Sequence, residues 1–366
     1  MDKKEQLILL LNYLFFDRQK LIRPVLGVFA SIEEFRQGYK AFFAKANISM
    51  GAKEGYQKKI DVFKIDNYLC RLEKQKIQYL FSHSPAYPEK LRQLADFPEV
   101  VFYKGDITLL KTKIFGVVGS RQATNYGIKV TEHLVEGVVP YFNVCSGLAR
   151  GIDAVVHKTA LKSKNPTIAV VATGLDIIYP TSNTDLFYEI EKNGLILTEN
   201  PPGTEPFGYR FPQRNRIIAA LSKGVLVTEA AERSGSLITA HLAAELGRDV
   251  FAVPGSIFSY LSKGPHKLIQ EGAKLVNKAD DIINEYKDFQ NLLFQFKEQK
   301  QTIKREFEIP DSEKIITKAL EIQPLDLDEL VLKTKKTVPF LLEKLTLLEL
   351  KDIVVKNTDC KYELML

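Results

Sequence analysis

Two small residues and a guanidinium, Gly119-Ser120-Arg121, stand between an apolar run, Ile114-Phe115-Gly116-Val117-Val118, and a segment from Tyr126 to Val139 with helical spacing of its apolar residues. The run reads as a buried parallel strand, and in an open α/β sheet ligands bind just beyond the carboxyl ends of the strands. Small residues there let backbone N–H groups approach an anion. The arriving helix adds its positive N-terminal end, and Arg121 adds a fixed cation with several donors. The chemistry predicted for this point is the grasping of a phosphate.

The same ending recurs. Later apolar runs lead into Ser146-Gly147-Leu148-Ala149-Arg150-Gly151-Ile152-Asp153, Thr173-Gly174-Leu175-Asp176, Glu199-Asn200-Pro201-Pro202-Gly203-Thr204, Ser234-Gly235-Ser236-Leu237-Ile238-Thr239 (reached through Glu229) and Pro254-Gly255-Ser256. One such cluster is ordinary turn chemistry. Several on one sheet edge predict a broad groove of backbone amides and hydroxyls, suited to an extended anion. The stretch from Phe207 to Ala219 adds Tyr209, Arg210, Phe211, Arg214, Asn215 and Arg216. Arginine neutralises phosphates and an aromatic ring stacks on any base, the pair of properties that single-stranded nucleic acid requires. The bland alternative pairs Arg214 and Arg216 with Glu199 or Glu229 and sends Phe211 into the core. Asp153 and Asp176 read as helix caps or loop ties rather than acid–base groups.

Other chemistries find no footing. No G-x-G-x-x-G follows the first strand and no G-x-x-x-x-G-K-[ST] exists, which argues against a dinucleotide fold and an ATP-driven motor. His83, His133, His157, His241 and His266 have no metal-ligand spacing, and Ser120, Ser146 and Ser234 have no evident His–Asp partners. Neither a metal, a cofactor nor catalytic turnover is expected.

These loops need a scaffold, and the chain predicts an α/β one. Strands are expected at Lys113–Val118, Asn143–Cys145, Thr167–Ala172, Leu195–Thr198, Gly224–Thr228 and Asp249–Val253, separated mostly by helices. This is an extended Rossmann-like, doubly wound, mainly parallel sheet. Leu7 to about Phe81 reads as helical and amphipathic, with polar breaks such as Asn47-Ile48-Ser49, and with no alternation that suggests strands. The expected domains are a helical one at 1–84, the sheet domain with its ligand-binding edge at 85–290, a linker at 291–310 and a small C-terminal unit at 311–366. In the last, Leu325–Leu332 and Val338–Leu348 suggest a helix-turn-helix, and Ile353–Val355 with Tyr362–Leu364 a two-stranded wing. The 366 residues carry a net charge of +6, a mild preference for polyanions. Three dispersed cysteines, no secretory signal and no long apolar span predict a cytoplasmic protein.

Taken together and in order, the motifs resemble the DNA-processing protein A family (DprA, also called Smf). They are Gly119-Ser120-Arg121, Ser146-Gly147-Leu148-Ala149 with Gly151-Ile152-Asp153, Thr173-Gly174-Leu175-Asp176 with Tyr179-Pro180, Phe211-Pro212 with Arg214 to Ala219, Ser234 to Ala240, and Val250 to Gly255. The resemblance implies a homodimer that binds and protects single-stranded DNA and helps load RecA recombinase during natural transformation, with single-stranded DNA-binding protein as a further partner. It also implies a helical N-terminal domain like a sterile-alpha-motif fold and a winged-helix-like C-terminal domain. Carried across, Gly119, Ser120, Arg121, Ser146, Gly147, Arg150, Gly174, Arg210, Phe211, Arg214, Asn215, Arg216, Ser234, Gly235 and Ser236 become the DNA-binding set. His266, Ile269 and Leu275 become the self-association set. Three departures stand out: Ala172 for a glycine, Gln213 where a cation is common, and Pro265-His266-Lys267 in the self-association segment.

Two other readings make different predictions. Lysine-decarboxylase-like phosphoribohydrolases, nucleotide hydrolases, also use small-residue loops on such a sheet, but this chain has Ser234-Gly235-Ser236-Leu237-Ile238-Thr239 in place of their Pro-Gly-Gly-x-Gly-Thr-x-x-Glu. A C-terminal DNA reader would use Lys333, Lys335 and Lys336, yet nearby Asp326, Asp328, Glu329, Glu343, Glu349 and Asp352 roughly cancel them.

Overall fold

The computed structural model describes residues 1–45, 50–286, 311–320, 323–351, 353–357 and 361–364. The expected linker at 291–310, the break at Asn47-Ile48-Ser49 and the Thr358-Asp359 part of the wing lie outside the described residues. The chain divides into two units, Met1–Phe289 and Gln290–Leu366.

The first unit begins with helices α1 (Lys3–Phe15), α2 (Ile22–Leu26), α3 (Ile32–Lys45), α4 (Met50–Val62) and α5 (Ile65–Lys74). Asp2 and Glu5 form a capping box at the start of α1, satisfying orphan N–H groups reciprocally. Leu7 to Leu11, Leu14 and Phe15 are all buried, so α1 is a central helix rather than an amphipathic one. It packs in one apolar cluster with sheet residues such as Phe102 and Ile196.

Then come β1 (Gln78–Phe81), α6 (Glu89–Arg92), β2 (Val100–Gly105), β3 (Ile114–Val118), α7 (Asn125–Val138), β4 (Asn143–Ser146), α8 (Ile152–Lys162), β5 (Thr167–Val170), α9 (Thr184–Asn193), β6 (Leu195–Thr198), α10 (Arg210–Leu221), β7 (Gly224–Val227), α11 (Gly235–Glu245), β8 (Asp249–Ala252), α12 (Lys263–Gln270), β9 (Lys274–Leu275) and α13 (Ala279–Ile283). The nine strands run β1-β2-β6-β5-β4-β3-β7-β8-β9. Pairing is parallel from β6 to β9, while β2 meets both β1 and β6 antiparallel. The six expected strands are present to within two residues at either end. Every residue of β3, β5, β6 and β7 is buried, which explains their uninterrupted apolar character.

Three strands escaped the sequence reading: β1, β2 and β9. β1 lies inside the stretch read as wholly helical and on the N-terminal side of the expected boundary at 84–85. Four residues, Gln-Tyr-Leu-Phe, are too few to set a period, and pairing with β2 rather than local propensity makes them a strand.

Topology singles out one place. From β3 the chain winds one way through β4, β5 and β6, then crosses to β7 on the other side of β3 and continues to β8 and β9. The crevice beyond β3 and β7 is therefore a topological switch point, where loops diverge and leave room for a ligand.

The second unit contains α14 (Asp311–Leu320), α15 (Leu327–Thr334), α16 (Val338–Leu350) and the antiparallel pair β10 (Val354–Lys356) and β11 (Tyr362–Leu364). Ile316, Leu320, Leu325, Leu330, Leu341, Leu345, Leu348, Val354 and Tyr362 form its core. Asp326 and Glu329 form a second capping box, and Lys335 ends α15 in the left-handed region at φ 55°. Two helices and a strand pair lie within two residues of the expected segments, except that α15 runs on through Lys333 and Thr334, which the sequence reading gave to the turn.

Candidate nucleic-acid interface

An open cleft of about 550 Å³ occupies the switch point. Its walls are Gly119–Gln122 after β3, Ala149 and Asp153, the start of α10 with Phe211, Arg214 and Asn215, and Arg233–Ser236 leading into α11. A second cavity of about 280 Å³ shares Arg121, Gln122, Ala149 and Phe211 with it and adds Arg150, Tyr179 and Pro180. The two form one continuous track along the sheet edge.

Arg121 is exposed and lies with its guanidinium carbon 4.5 Å from the centre of the Phe211 ring. Phe211 is half-buried and packs tilted against Tyr179 at 5.8 Å. The pair gives the track a cation already oriented on an aromatic plane. Arg150 and Arg233 are also exposed on the walls. Ser234 caps α11, its Oγ accepting from Ser236 N at 3.3 Å and lying 2.7 Å from Ser236 Oγ. Gly235 has nothing within 4 Å of the place a Cβ would take. Thr239, buried one turn further along the helix, lines the cleft with an unpartnered Oγ1. An open helix start with hydroxyls around it is a site for an anion's oxygens.

Other predicted contacts prove to be internal braces. The N-terminus of α7, expected to meet the ligand, already holds a carboxylate. Buried Glu229 accepts from Thr124 N at 2.9 Å and from Thr124 Oγ1 at 2.5 Å. Ser146 is fully buried and donates to Val117 O at 2.7 Å, tying β4 to β3. A Cβ at Gly147 would overlap the Arg214 guanidinium, so this glycine makes room for a side chain and not for a phosphate. Gly174 is likewise enclosed, with Pro201 O and Asp176 Oδ1 each 2.7 Å from the position of a Cβ. The third and fourth loops are also tied to the helical layer: Arg71 donates to Asp176 Oδ2 at 2.7 Å, and Asn12 Nδ2 to Glu199 O at 3.0 Å. The expected groove is thus narrower than a full sheet edge.

Three arginines divide by depth. Arg210, 3% exposed, is ion-paired with Asp17 at 2.9 Å and lies over the Phe16 ring, away from the cleft. Arg216 is buried against Glu199, with Asp96 at 3.7 Å, so the bland alternative holds for it. Arg214 is buried beneath the cleft and donates to Gly147 O at 2.6 Å and to Val170 O. Its facing carboxylate is Asp153, not Glu199 or Glu229. Asn215 accepts from Arg214 Nε at 3.1 Å and donates to Gly235 O at 3.1 Å, joining α10 to the start of α11. Gly119 and Ser120 line the cleft by backbone and packing: a Cβ on Gly119 would sit 2.6 Å from Ile152, and Ser120 Oγ accepts from Gln122 N at 3.0 Å. Gly151 adopts φ 71°, and a Cβ there would overlap Ser120 O, which excludes other residues.

In the self-association set, His266 faces inward, its Nε2 3.1 Å from Gly255 O. Ile269 is half-buried against the core, and Leu275 on edge strand β9 is 41% exposed. The DNA-binding set read from the sequence left out Tyr179 and Thr239, which its motifs named, and Arg233, which they did not. Arg233 had a usable signal, a cation immediately before the Ser-Gly start of a helix.

Burial sets the electrostatics below the cleft. It pushes the Asp153 carboxyl up, with Arg214 pulling the other way, and does the same to Glu199 against Arg216. His157, fully buried, is pulled down to about 3, by burial first and Arg214 second. Because the Thr167 hydroxyl donates to Val144 O at 3.0 Å, His157 Nδ1 carries the proton toward Thr167 Oγ1 at 2.8 Å. Between pH 6.5 and about 3 the unfolded chain binds a proton at His157 that the folded chain refuses, so this share of stability falls as pH falls through that window. Asp153 and Glu199, with raised values, act in the opposite sense. Urea midpoints at several pH values are expected to show a shallower acid-side slope in His157→Gln than in the unaltered protein.

A doubly wound sheet with a cleft at its switch point, lined by exposed arginines and an aromatic ring, defines a Rossmann-like α/β protein. The family model described as DNA recombination-mediator protein A matches residues 78–287, more than half of the chain, and the chain belongs to that family. It is 46% identical over 224 residues to "DNA processing protein DprA" of Streptococcus pneumoniae, covering 61% of this chain and 79% of the relative. It is 42% identical over 221 residues to "Protein Smf" of Escherichia coli, covering 60% and 59%. The X-ray structure of DprA from Streptococcus pneumoniae aligns with a TM-score of 0.60 at 44% identity over 63% of this chain and 81% of that one. A structure of DNA processing protein A from Helicobacter pylori, described for its single-stranded DNA binding mode, aligns at 0.53 with 31% identity, over 58% and 96%.

Proposed function

We propose that the chain binds single-stranded DNA along the track through Arg121, Arg150 and Arg233, shields it, and passes it to RecA recombinase during natural transformation, working as a homodimer without catalytic turnover. The observation that carries this reading is the Arg121–Phe211 pair at 4.5 Å, a phosphate-binding cation on a ring in an open, continuous cleft. Exposed rings serve unpaired bases, which a duplex keeps stacked inside. Family membership and the described binding mode of the Helicobacter pylori relative support the choice of ligand. In this reading 1–84 is a helical accessory layer, 85–290 the DNA-binding sheet, and 311–366 a winged-helix-like module for protein contact. Leu275, at the exposed sheet edge, and neighbouring Ile269 are the surface proposed for self-association; His266 acts behind it as a brace.

Fluorescence anisotropy with a labelled oligonucleotide tests this. Tight binding to single strands, weaker binding to duplex, and a steep loss with added salt are expected. A flat salt response overturns it, as does release of free base from nucleoside monophosphates, the product of the hydrolase alternative.

A further inference from the structure

We infer that the loop from Ser256 to Tyr260, between β8 and α12, is a base-stacking platform that lengthens the strand site beyond the cleft, with Phe258 as its principal ring. This rests on the single-strand reading above. Phe258 is 92% exposed, Ile257 75% and Tyr260 62%, the most concentrated display of large apolar side chains among the described residues of the first unit.

The loop holds these groups out by construction. Ser259 N donates to Ser256 O at 3.0 Å, and Phe258 N to Ser256 Oγ at 3.3 Å. At its start, Tyr126 Oη donates to Pro254 O at 2.6 Å and His266 braces Gly255. At its end, Ala230 N donates to Leu261 O at 2.8 Å and Gly264 N donates to Ala230 O at 2.9 Å. Ala230 opens the segment that carries Arg233, so the platform and the cleft wall are hydrogen-bonded together.

Two observations name the occupant. Tyr260 and Leu261 line the cleft itself, so the loop continues the track without a break. Lys263 Nζ lies 5.9 Å from the centre of the Tyr260 ring, placing a cation for the phosphate beside a ring for the base. Three side chains on one turn also fall far short of the roughly 800 Å² per partner of a stable protein interface. A strand leaving the cleft past Ser234 meets these rings next.

The chain contains no tryptophan, so Phe258→Trp installs a single fluorescent reporter at an exposed position. An oligothymidylate of about 20 nucleotides is expected to quench it, while one of about 5 binds in the cleft without quenching. Phe258→Ala is expected to weaken the longer oligomer about tenfold and the shorter by less than about twofold. Binding of both oligomers with no tryptophan response overturns the platform alone. Emission that follows protein concentration instead of oligomer assigns the loop to a contact between copies, and also overturns it. Failure of either oligomer to bind the unaltered chain overturns the strand reading and the platform with it.

Discussion

Arg121→Ala is expected to weaken single-stranded DNA binding by about 10- to 100-fold, the range for losing one charge-assisted contact to a phosphate. The slope of log affinity against log salt should become shallower by about 0.7, since one fewer counterion is released from a single strand. Arg121 is exposed and stacks on the Phe211 ring at the cleft wall, so thermal stability should stay put. Arg121→Lys should fall between the two: it keeps the charge, but a compact ammonium neither stacks flat on the ring nor offers a planar fork of donors. Anisotropy titrations at three salt concentrations measure both quantities. An unchanged slope with Arg121→Ala would remove this residue from the phosphate path.

The second large effect concerns Arg214, which the motif reading had among the DNA contacts. The side chain is 4% exposed, donates to the carbonyls of Gly147, just after β4, and Val170, the last residue of β5, and faces buried Asp153. Arg214→Met should therefore act on folding: removing one partner of a buried pair costs about 3–5 kcal/mol. At roughly 2–4 °C per kcal/mol for a unit of this size, the melting temperature should fall by about 10 °C. Adding Asp153→Asn should recover part of that loss, because the uncompensated carboxylate is gone. At temperatures where the variant is folded, its salt slope should match the unaltered chain. A normal melting temperature with a shallower slope would return Arg214 to the DNA-contact set.

These two arginines show how far residue types carry an argument. Arg121 follows Gly119-Ser120 and Arg214 stands between Gln213 and Asn215, and the motif reading placed both in the DNA-binding set. Depth separates them: Arg121 follows a strand into solvent, whereas Arg214 lies one turn inside α10, a helix buried along most of its length. Glycine misled in the same way. Gly147 and Gly174 are small because a guanidinium and neighbouring loops press on them, while Gly235 is open to an incoming ligand. Glu229 is a further case, since its carboxylate reaches 105 positions back along the chain to fill the helix start that the sequence had reserved for a phosphate.

The alternation of apolar runs with helical periods was enough, unaided, to specify a doubly wound sheet and the edge on which its loops gather. Those properties depend on local period and on the chemistry of short segments, which the linear chain records directly. Which loops stay open, which cations meet solvent and where β1, β2 and β9 join were decided only by the tertiary structure. Each depends on contacts between residues far apart in the chain, and burial, unlike periodicity, is a property of the whole packing.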